Sequence, residues 1–321
     1  MITCLGLSPA LDVTYLVDRV DVGEIHRPRA ALTLPGGKAL NAARAVVALG
    51  GMARAIVPLG GFAGERVRAE LEPLGLELVS VVTHRETRSC VTVYDDSGGT
   101  TEFYEAAPEL DADAWAEVLD AVSAVEGGWL AVSGSIPEAR AASLAHALEE
   151  AGHRGVSVAV DTHGAALREI LSRARPALVK VNRAEAAGLS GADPGESDIA
   201  DLARALGGTG TGSGVGIGVE TGVGIAIVTD GAAGSVATRD GAVWRCAPPE
   251  TGRYAVGSGD CFLAGLLVAF EKTGTADVPA ALALATAAAA ANTRVPGAAV
   301  FSPDVVRELR AVVTVDGGAR V

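Results

Sequence analysis

Residues 255–270 read AVGSGDCFLAGLLVAF and place a single carboxylate, Asp260, between a glycine-rich turn and a long apolar run. The apolar run predicts a buried helix. A glycine-rich turn that leads into a helix leaves the first backbone N–H groups unpaired at the positive end of the helix dipole, where they bind anions and above all phosphates. We therefore expect Gly257, Ser258 and Gly259 to form a rigid phosphate-binding helix tip.

Asp260 needs a separate explanation, because a carboxylate beside such a tip would repel phosphate. Accepting the proton of a hydroxyl group that attacks a phosphoryl group would explain its position. An unperturbed aspartate has a pKa of about 3.9. The sequence therefore predicts that Asp260 is deprotonated at neutral pH without special tuning.

The composition limits the class of protein. The chain has 321 residues, of which 49% are hydrophobic and 4% aromatic, and this fits one large α/β core with a small insertion. The formal net charge of −13 argues against a nucleic acid or an anionic membrane as the main partner. A local cluster of cations can still bind an anionic small molecule.

Cysteines, histidines and apolar runs indicate the compartment. The four cysteines show no CxxC spacing and the five histidines no HxxxH spacing, so we expect reduced thiols and no structural metal. The N-terminus lacks a basic leader, and the apolar run 280–292 is short and Ala-rich, which predicts a buried helix. The sequence predicts a soluble cytoplasmic protein.

Short apolar runs alternate with helical patterns along the chain. This alternation predicts a mostly parallel sheet that is covered by helices on both faces. Several runs end in polar residues, and ligand crevices of open parallel sheets lie beyond the carboxyl ends of the strands. The predicted strands are 2–7, 55–60, 129–133, 156–161, 177–182 and 225–230, and the predicted helices are 39–49, 64–74, 111–124, 139–151 and 196–206.

Two segments, about 12–34 and 88–106, alternate apolar with polar residues instead, and the second turns at Ser-Gly-Gly. They predict half-exposed antiparallel hairpin strands in a second, small sheet. Such a sheet would cover the crevice as a lid. We also expect its outer face to be where two subunits meet.

The stretch 207–224 is rich in glycine but lacks the Gly-Lys-Ser/Thr ending of a P-loop. It also precedes a predicted strand, whereas a dinucleotide-binding fingerprint follows one. We therefore predict a flexible loop and not a phosphate-binding motif at this position.

Four other motifs accompany the helix tip, and they are SPALD (8–12), LPGGKALN (34–41), VKVNRAE (179–185) and VTDGAAG (228–234). In the third motif, an asparagine and a glutamate lie three residues apart on one helical face. The fourth follows a predicted strand with a turn that would pass beneath a nucleotide.

In chain order, SPALD, GGKxxN, TR, SGSIP, DTHG, KVNxxE, VTDGxxG and GSGD cover nearly the whole sequence. This series resembles the ribokinase/PfkB family of carbohydrate kinases, and most of all its group of 1-phosphofructokinases and tagatose-6-phosphate kinases. The resemblance implies a single kinase domain over 1–321 with a ribokinase-like three-layer α/β sandwich. It implies a mostly parallel central sheet flanked by helices, a small β-sheet lid, and ATP and Mg²⁺ as cofactors.

The resemblance also implies roles for individual residues. Asp260 matches the catalytic base, and the helix tip matches the anion hole that steadies the transferring phosphoryl group. Asn182 and Glu185 match a motif that organises Mg²⁺, usually through water. The nucleotide side is matched by Thr229 and Gly231 under the phosphates and by Asn292 in the helix that borders the adenine. Asp161 and His163 end a predicted strand and are not assigned a catalytic role.

On the acceptor side, Asp12, Gly37, Lys38 and Asn41 match positions that grip the sugar. Lys38 and Arg88, together with Arg27 of the lid, are candidates for binding a phosphate that the substrate already carries. They would supply the local positive charge that this acidic chain otherwise lacks.

The departures from the family pattern fall on the acceptor and lid side. The related group carries asparagine where this chain has Ser8 and Cys90, and glycine where it has Ala39. Tyr104 replaces a further lid asparagine. The sequence therefore supports phosphoryl transfer better than it supports any particular sugar.

The function that the resemblance implies is ATP-dependent phosphorylation of the primary hydroxyl of a sugar phosphate, with fructose 1-phosphate as the expected acceptor. Tagatose 6-phosphate, fructose 6-phosphate and a free sugar or nucleoside are the alternatives. A non-catalytic sugar-binding regulator is a more remote one. A nicotinamide-dependent dehydrogenase is disfavoured, because no GxGxxG opens the first strand–helix turn.

Overall fold

The computed structural model describes residues 1–208, 222–275 and 277–320. The strands are β1 Ile2–Leu5, β2 Ala10–Val17, β3 Ala30–Gly36, β4 Ala53–Leu59, β5 Glu77–Val82, β6 Arg88–Asp95, β7 Thr100–Tyr104, β8 Trp129–Ser133, β9 Ser157–Asp161, β10 Leu178–Asn182, β11 Ile225–Thr229, β12 Ser235–Arg239, β13 Ala242–Cys246 and β14 Val315–Arg320. The helices are α1 Lys38–Ala48, α2 Gly61–Leu71, α3 Ala112–Ser123, α4 Glu138–His153, α5 Gly164–Arg173, α6 Arg183–Ser190, α7 Ile199–Leu206, α8 Ser258–Thr273, α9 Val278–Asn292 and α10 Pro303–Val312.

The central sheet has ten strands in the order β14-β13-β12-β11-β10-β9-β8-β1-β4-β5. The strands from β11 to β5 pair in parallel, whereas β12, β13 and β14 add an antiparallel edge. The carboxyl ends of the parallel strands therefore meet along one edge of the sheet. A ligand crevice is expected at that edge.

Two apolar cores cover the two faces of this sheet. One contains residues of α1, α2, α8, α9 and α10. The other contains residues of α3, α4, α5, α6 and α7. The three-layer α/β sandwich with a mostly parallel centre, as predicted from the sequence, is confirmed.

Helix α8 is buried from Asp260 to Phe270, as its uncharged sequence predicts. It packs closely against α9 because Gly265 faces Ala285, and a Cβ on Gly265 would lie 2.6 Å from the Ala285 Cα. Burial along its length fixes the position of its N-terminus. That N-terminus is the predicted helix tip.

A separate small sheet, hereafter the small sheet, has the strand order β3-β2-β6-β7. It lies in the two segments that the sequence singles out. The pairs β2–β3 and β6–β7 are antiparallel, as predicted, but β2 and β6 pair in parallel. The predicted antiparallel pairs are therefore present, and the parallel pair between them, which joins strands from distant parts of the chain, is additional to the prediction.

Each predicted strand of the central sheet is present, and β8 has the predicted bounds. Strand β5, the antiparallel edge and helices α5 and α10 are additional to the prediction. Most of the glycine-rich stretch 207–224 lies outside the described residues, so the loop prediction for it stays untested. Within the described parts of the chain, no helix has the length and apolar character to cross a membrane.

Candidate active site

A cavity of about 650 Å³, hereafter the first cavity, opens between the carboxyl edge of the central sheet and the small sheet. It brings together most of the predicted site residues, although they are far apart in the sequence. These are Asp12, Gly37, Lys38, Asn41, Arg88, Asn182, Thr229, Gly257, Gly259 and Asp260. Arg27 is exposed and lies outside this lining.

A second cavity of about 210 Å³ lies on the other side of the helix tip. Its lining includes Gly231 and Ser258, and its walls come largely from the β11–β12 turn, the loop before α8, and α9. Gly259 and Thr229 line both cavities. The two cavities therefore meet at the helix tip.

The helix tip has free backbone donors. Gly257 has a φ of 81°, in the left-handed region that favours glycine, and its carbonyl accepts from the N–H groups of Asp260 and Cys261 at 3.1 and 3.0 Å. The N–H of Ser258 donates to Ala255. Among the described residues, the N–H groups of Gly257 and Gly259 have no hydrogen-bond partner. Two of the three predicted residues therefore offer N–H donors, and Ser258 does not.

The turn before α1 also requires glycine. Gly37 has a φ of 87°, and a Cβ there would lie 2.7 Å from the carbonyl oxygen of Ser8. A Cβ on Gly36 would lie 1.9 Å from the Asp12 carboxyl carbon. The Gly-Gly pair thus lets the chain pass directly over the Asp12 carboxylate.

Asn41 joins the two carboxylates that face the first cavity. Its Nδ2 donates to the Asp260 Oδ2 at 2.9 Å, and the same side chain lies near Asp12 and opposes the rise that burial causes in the pKa of Asp12. Its Oδ1 is buried without a partner among the described residues. Asn41 therefore holds the Asp260 carboxylate at the wall of the first cavity.

The environment of Asp260 differs from the sequence-based expectation. Burial, followed by the nearby charge of Asp161, raises the pKa of Asp260 to about 7, although Asn41, Lys180 and Lys38 oppose the shift. The prediction that this carboxyl has an ordinary pKa is therefore wrong. A group with a pKa near neutrality is well matched to accepting a proton at that pH.

A buried ion network, which the sequence analysis did not identify, lies beside Asp260. The fully buried Asp161 carboxylate binds Lys180 Nζ at 2.7 Å and Lys38 Nζ at 2.9 Å. Burial raises the pKa of Asp161, but the two lysines outweigh it and lower that pKa overall. A Cβ on Gly259 would lie 3.1 Å from Lys180 Nζ, so this ammonium group sits directly under the helix tip.

Lys38 therefore faces the helix-tip side of the site. Its Nζ lies 3.9 Å from the Glu185 Oε1 as well as close to Asp161. Burial lowers the pKa of Lys38, but these two carboxylates outweigh it and raise that pKa overall. Lys38 remains charged and is bound by carboxylates.

Asn182 and Glu185 cap the start of α6. The Asn182 side chain accepts from the Glu185 N–H at 2.9 Å, and the Glu185 Oε2 accepts from the Asn182 N–H at 2.8 Å. The second carboxylate oxygen, Oε1, lies 3.9 Å from Lys38 Nζ and 4.0 Å from His163 Nδ1. Within the described parts of the chain, no group of three or more His, Cys, Asp or Glu residues is arranged to hold a metal directly.

The acceptor side of the first cavity is lined by the small sheet. The Arg88 guanidinium donates to the carbonyls of Ser8 and Glu105, both at 3.2 Å, and its buried Nε has no partner among the described residues. Cys90 and Tyr104 also line the cavity, and Asp12 pairs with Cys90 across the β2–β6 register. Burial raises the pKa of Cys90 to about 11, so its thiol is neutral.

Asn292 does not line the second cavity, although other residues of α9 do. Its Nδ2 donates to the carbonyl of Val256 at 2.9 Å and to Ser258 Oγ at 3.0 Å, and its Oδ1 accepts from the Val300 N–H at 3.3 Å. The structure therefore places Asn292 behind the helix tip. Thr229 and Gly231 lie at the end of β11 and in the following turn, where the sequence predicts them.

Comparisons with known proteins agree with this architecture. A family model for pfkB family carbohydrate kinases matches residues 1–305. The structure of phosphofructokinase-2 from Escherichia coli in complex with substrates and products is 24% identical, with a TM-score of 0.85 over 97% of this chain and 98% of that chain. The possible 1-phosphofructokinase of Thermotoga maritima is 20% identical, with a TM-score of 0.84 over 99% of this chain and 100% of that chain.

Fold, cavities and family match define a phosphotransferase of the sugar-kinase class. The chain belongs to the pfkB family of carbohydrate kinases. Another neighbour, the inhibited form of the Escherichia coli phosphofructokinase-2, is described as tetrameric and is 23% identical, with a TM-score of 0.83 over 97% of this chain and 98% of that chain.

Proposed function

We propose that this carbohydrate kinase transfers the γ-phosphoryl group of ATP to the primary hydroxyl of fructose 1-phosphate and so makes fructose 1,6-bisphosphate. The observation that carries the proposal is the meeting of two cavities at the free N–H groups of Gly257 and Gly259, with Asp260 alongside. The acceptor would occupy the first cavity and the nucleotide the second.

In the proposed reaction, the Asp260 carboxylate takes the proton of the acceptor hydroxyl as its oxygen attacks the γ-phosphorus. The bond from that phosphorus to the β,γ-bridging oxygen breaks, and ADP leaves. Phosphoryl transfer needs positioning and charge neutralisation more than covalent help. The helix-tip N–H groups, Lys38 and Lys180 would supply that neutralisation, and Asn41 would hold Asp260 in place.

Mg²⁺ would be held through the α6 cap. Carboxylate oxygens suit this ion, which usually keeps several waters and binds through one or two carboxylates plus substrate phosphates. In the cap, the Glu185 Oε2 and the Asn182 side chain bond to the backbone, whereas the Glu185 Oε1 does not and lies 3.9 Å from Lys38 Nζ, so Oε1 is the oxygen proposed to face the ion. When bound, Mg²⁺ would neutralise charge on the nucleotide phosphates.

Arg88 is the residue we propose for the phosphate that the acceptor already carries. Its guanidinium lines the first cavity on the acceptor side, and within the described parts of the chain its donors bond only to backbone carbonyls. A guanidinium group offers the forked donor geometry that phosphate groups accept. Lys38 is less suited to this role because Asp161 and Glu185 already bind it.

The second candidate is an acceptor other than fructose 1-phosphate, either another hexose phosphate or a free sugar. The neutral Cys90 thiol and Tyr104, whose hydroxyl donates to Glu102 Oε1 at 3.0 Å, lie close to Asp12 in the sheet register. They occupy positions where the related group has amides. Fewer hydrogen bonds from Cys90 and Tyr104 to the acceptor would favour a different hexose phosphate, such as tagatose 6-phosphate or fructose 6-phosphate, or an unphosphorylated sugar.

We further propose that the chain is one cytoplasmic kinase domain over 1–321, in which the small sheet serves as the lid and as the contact surface of a homodimer. Phe103 of β7 is 63% exposed. Arg27 lies in the exposed loop between β2 and β3 and would reach an acceptor only if that loop moved. Light scattering during size-exclusion chromatography of wild type and Phe103→Asp tests the dimer, which the substitution should dissociate.

An ADP-release assay over fructose 1-phosphate, fructose 6-phosphate, tagatose 6-phosphate, ribose and adenosine tests the proposed function. We expect the highest kcat/KM with fructose 1-phosphate and a bisphosphate product by ³¹P NMR. A preference for another sugar phosphate would replace the proposed acceptor, and a preference for ribose or adenosine would move the enzyme to the free-sugar or nucleoside class. No turnover with any of them would support a non-catalytic regulator.

A further inference from the structure

The segment Thr251–Val256, hereafter the junction segment, leads directly into the helix tip and has neighbours on two sides. Thr251, Gly252 and Ala255 line the second cavity. Arg253 and Tyr254 instead contact the small sheet. One short stretch of backbone therefore touches the proposed nucleotide cavity, the proposed lid and the turn that would bind the moving phosphoryl group.

Tyr94 makes the central contact from the small sheet. It lies on β6, yet it is only 2% exposed, because its ring meets the Tyr254 ring edge-on with centroids 4.9 Å apart. The Tyr94 hydroxyl lies near the Val256 N–H, which lowers the pKa of Tyr94 in opposition to burial. Gly257, whose own N–H is a free donor of the helix tip, follows Val256 directly.

Arg253 makes a second, charged contact with the same strand end. Its guanidinium donates to the Asp95 carbonyl and lies 3.4 Å from the Asp96 Oδ1. Arg29 binds Asp96 at 2.6 Å and also Asp18 at 2.9 Å, so the contact is tied into the loop between β2 and β3. A shift of the small sheet would therefore displace the junction segment at both Arg253 and Tyr254.

On its other side the junction segment is held by the end of α9. Asn292 donates to the carbonyl of Val256, and the Tyr254 N–H donates to the carbonyl of Thr293 at 3.0 Å. The Thr293 hydroxyl accepts from the Gly252 N–H at 2.8 Å. The segment is therefore fixed between the helix and the small sheet, and Tyr94 is the side chain that completes the small-sheet side.

We propose that Tyr94 is a positioning residue, which acts through the junction segment to align the helix tip when an acceptor lies beneath the small sheet. Acceptor binding and nucleotide binding would then favour each other, because both require the same placement of residues 251–257. This inference rests on the proposed kinase function.

The substitution Tyr94→Phe removes the hydroxyl but keeps the ring contact with Tyr254. The kinetics are measured with whichever of the five acceptors named above wild type phosphorylates fastest. We expect kcat of Tyr94→Phe to fall about fivefold, the order that one lost hydrogen bond gives. Titration with ADP, with and without that acceptor, should show tighter ADP binding when the acceptor is present. The ADP ratio is the dissociation constant of ADP without the acceptor divided by that with it. In Tyr94→Phe this ratio should approach one, while ADP binding to the enzyme without acceptor changes by less than about twofold.

Tyr15→Phe is the matched control, since Tyr15 is a half-buried tyrosine on β2 that lines neither cavity. It should leave kcat and the ADP ratio unchanged. If Tyr94→Phe only lowers the melting temperature and keeps both values, Tyr94 is structural and the inference is overturned.

Hydrogen exchange keeps this test independent of the acceptor. The peptide spanning 251–260 should exchange faster in Tyr94→Phe than in wild type and Tyr15→Phe, because the variant lacks the hydroxyl that lies near the Val256 N–H and so holds the junction segment less firmly. Unchanged exchange would overturn the inference even if the enzyme is an active kinase. If exchange is faster in Tyr94→Phe but wild type phosphorylates none of the five acceptors, the contact between Tyr94 and the junction segment is supported and the proposed kinase function is refuted instead.

Discussion

Around Asp260 the polar side chains are buried and bind one another, whereas around Arg88 they are more exposed and bind mainly backbone. Asp161 is completely buried between two lysines. Arg88 is half-buried and donates to two carbonyls. Buried charged side chains that bind one another are held in one arrangement. Partly exposed side chains can be replaced by other residues at a smaller cost in stability. We infer that the transfer chemistry is built into the core, whereas the choice of acceptor is left to the small sheet.

The largest effect is expected for Asp260→Asn, which removes the proposed base and keeps the shape of the side chain. We expect kcat to fall by at least about a hundredfold and ATP affinity to change by less than about twofold. Steady-state kinetics and nucleotide titration measure both. Asp113→Asn, at an exposed carboxylate of α3, is the control. Full turnover by Asp260→Asn would remove the proposed role.

Asp161→Asn tests the buried network next to that base. It leaves the Lys180 ammonium buried without its carboxylate partner, so we expect the free energy of unfolding to fall by about 3 kcal/mol in urea denaturation near neutral pH. Because the pKa of Asp161 is lowered in the folded protein, its stabilisation is present above its unfolded pKa and lost as the pH falls through the folded one. The difference from wild type should therefore shrink in acid. Equal stability at neutral pH would contradict the buried ion network.

Lys38→Ala and Arg88→Ala separate the two sides. We expect Arg88→Ala to raise the acceptor KM about tenfold with little change in kcat, because it removes a contact to the bound phosphate. Lys38→Ala should instead lower kcat about tenfold, because Lys38 faces Asp161 and Glu185. If both variants raised only the acceptor KM, Lys38 would belong to the acceptor side.

Cys90→Asn should have the smallest effect. It restores the amide of the related group at the wall of the first cavity, next to Asp12 in the sheet register. We expect kcat/KM for fructose 1-phosphate to rise about threefold relative to that for ribose, roughly one hydrogen bond to a bound hydroxyl group. Competition between the two acceptors measures the ratio. An unchanged ratio would show that this wall does not select the acceptor.

Local sequence predicted the elements that depend on local patterns. The glycine turns at Gly37 and Gly257 and the buried helix after Asp260 lie where their residue types predict. Lys180 was missed, although a single lysine inside the apolar run 177–182 is a signal of a buried ion pair. Its partner Asp161 ends a predicted strand, a position that by itself predicts no role.

Other features of the site depend on contacts between distant residues. The parallel pairing of β2 with β6 and the contact between Tyr94 and Tyr254 join segments that no local pattern relates. The raised pKa of Asp260 likewise arises from burial and from Asp161, which is distant in the sequence. Such values cannot be obtained from residue type alone.

The most direct test of the central claim, that Asp260 is a base tuned by its buried surroundings, is the pH dependence of kcat/KM for the acceptor between about pH 5 and 9. A carboxyl with a pKa of about 7 must lose its proton to act as a base, so kcat/KM should rise about tenfold per pH unit in acid and level off above about pH 7. A flat profile across this range would mean that Asp260 keeps the ordinary pKa of an exposed aspartate or takes no proton, and it would contradict the account.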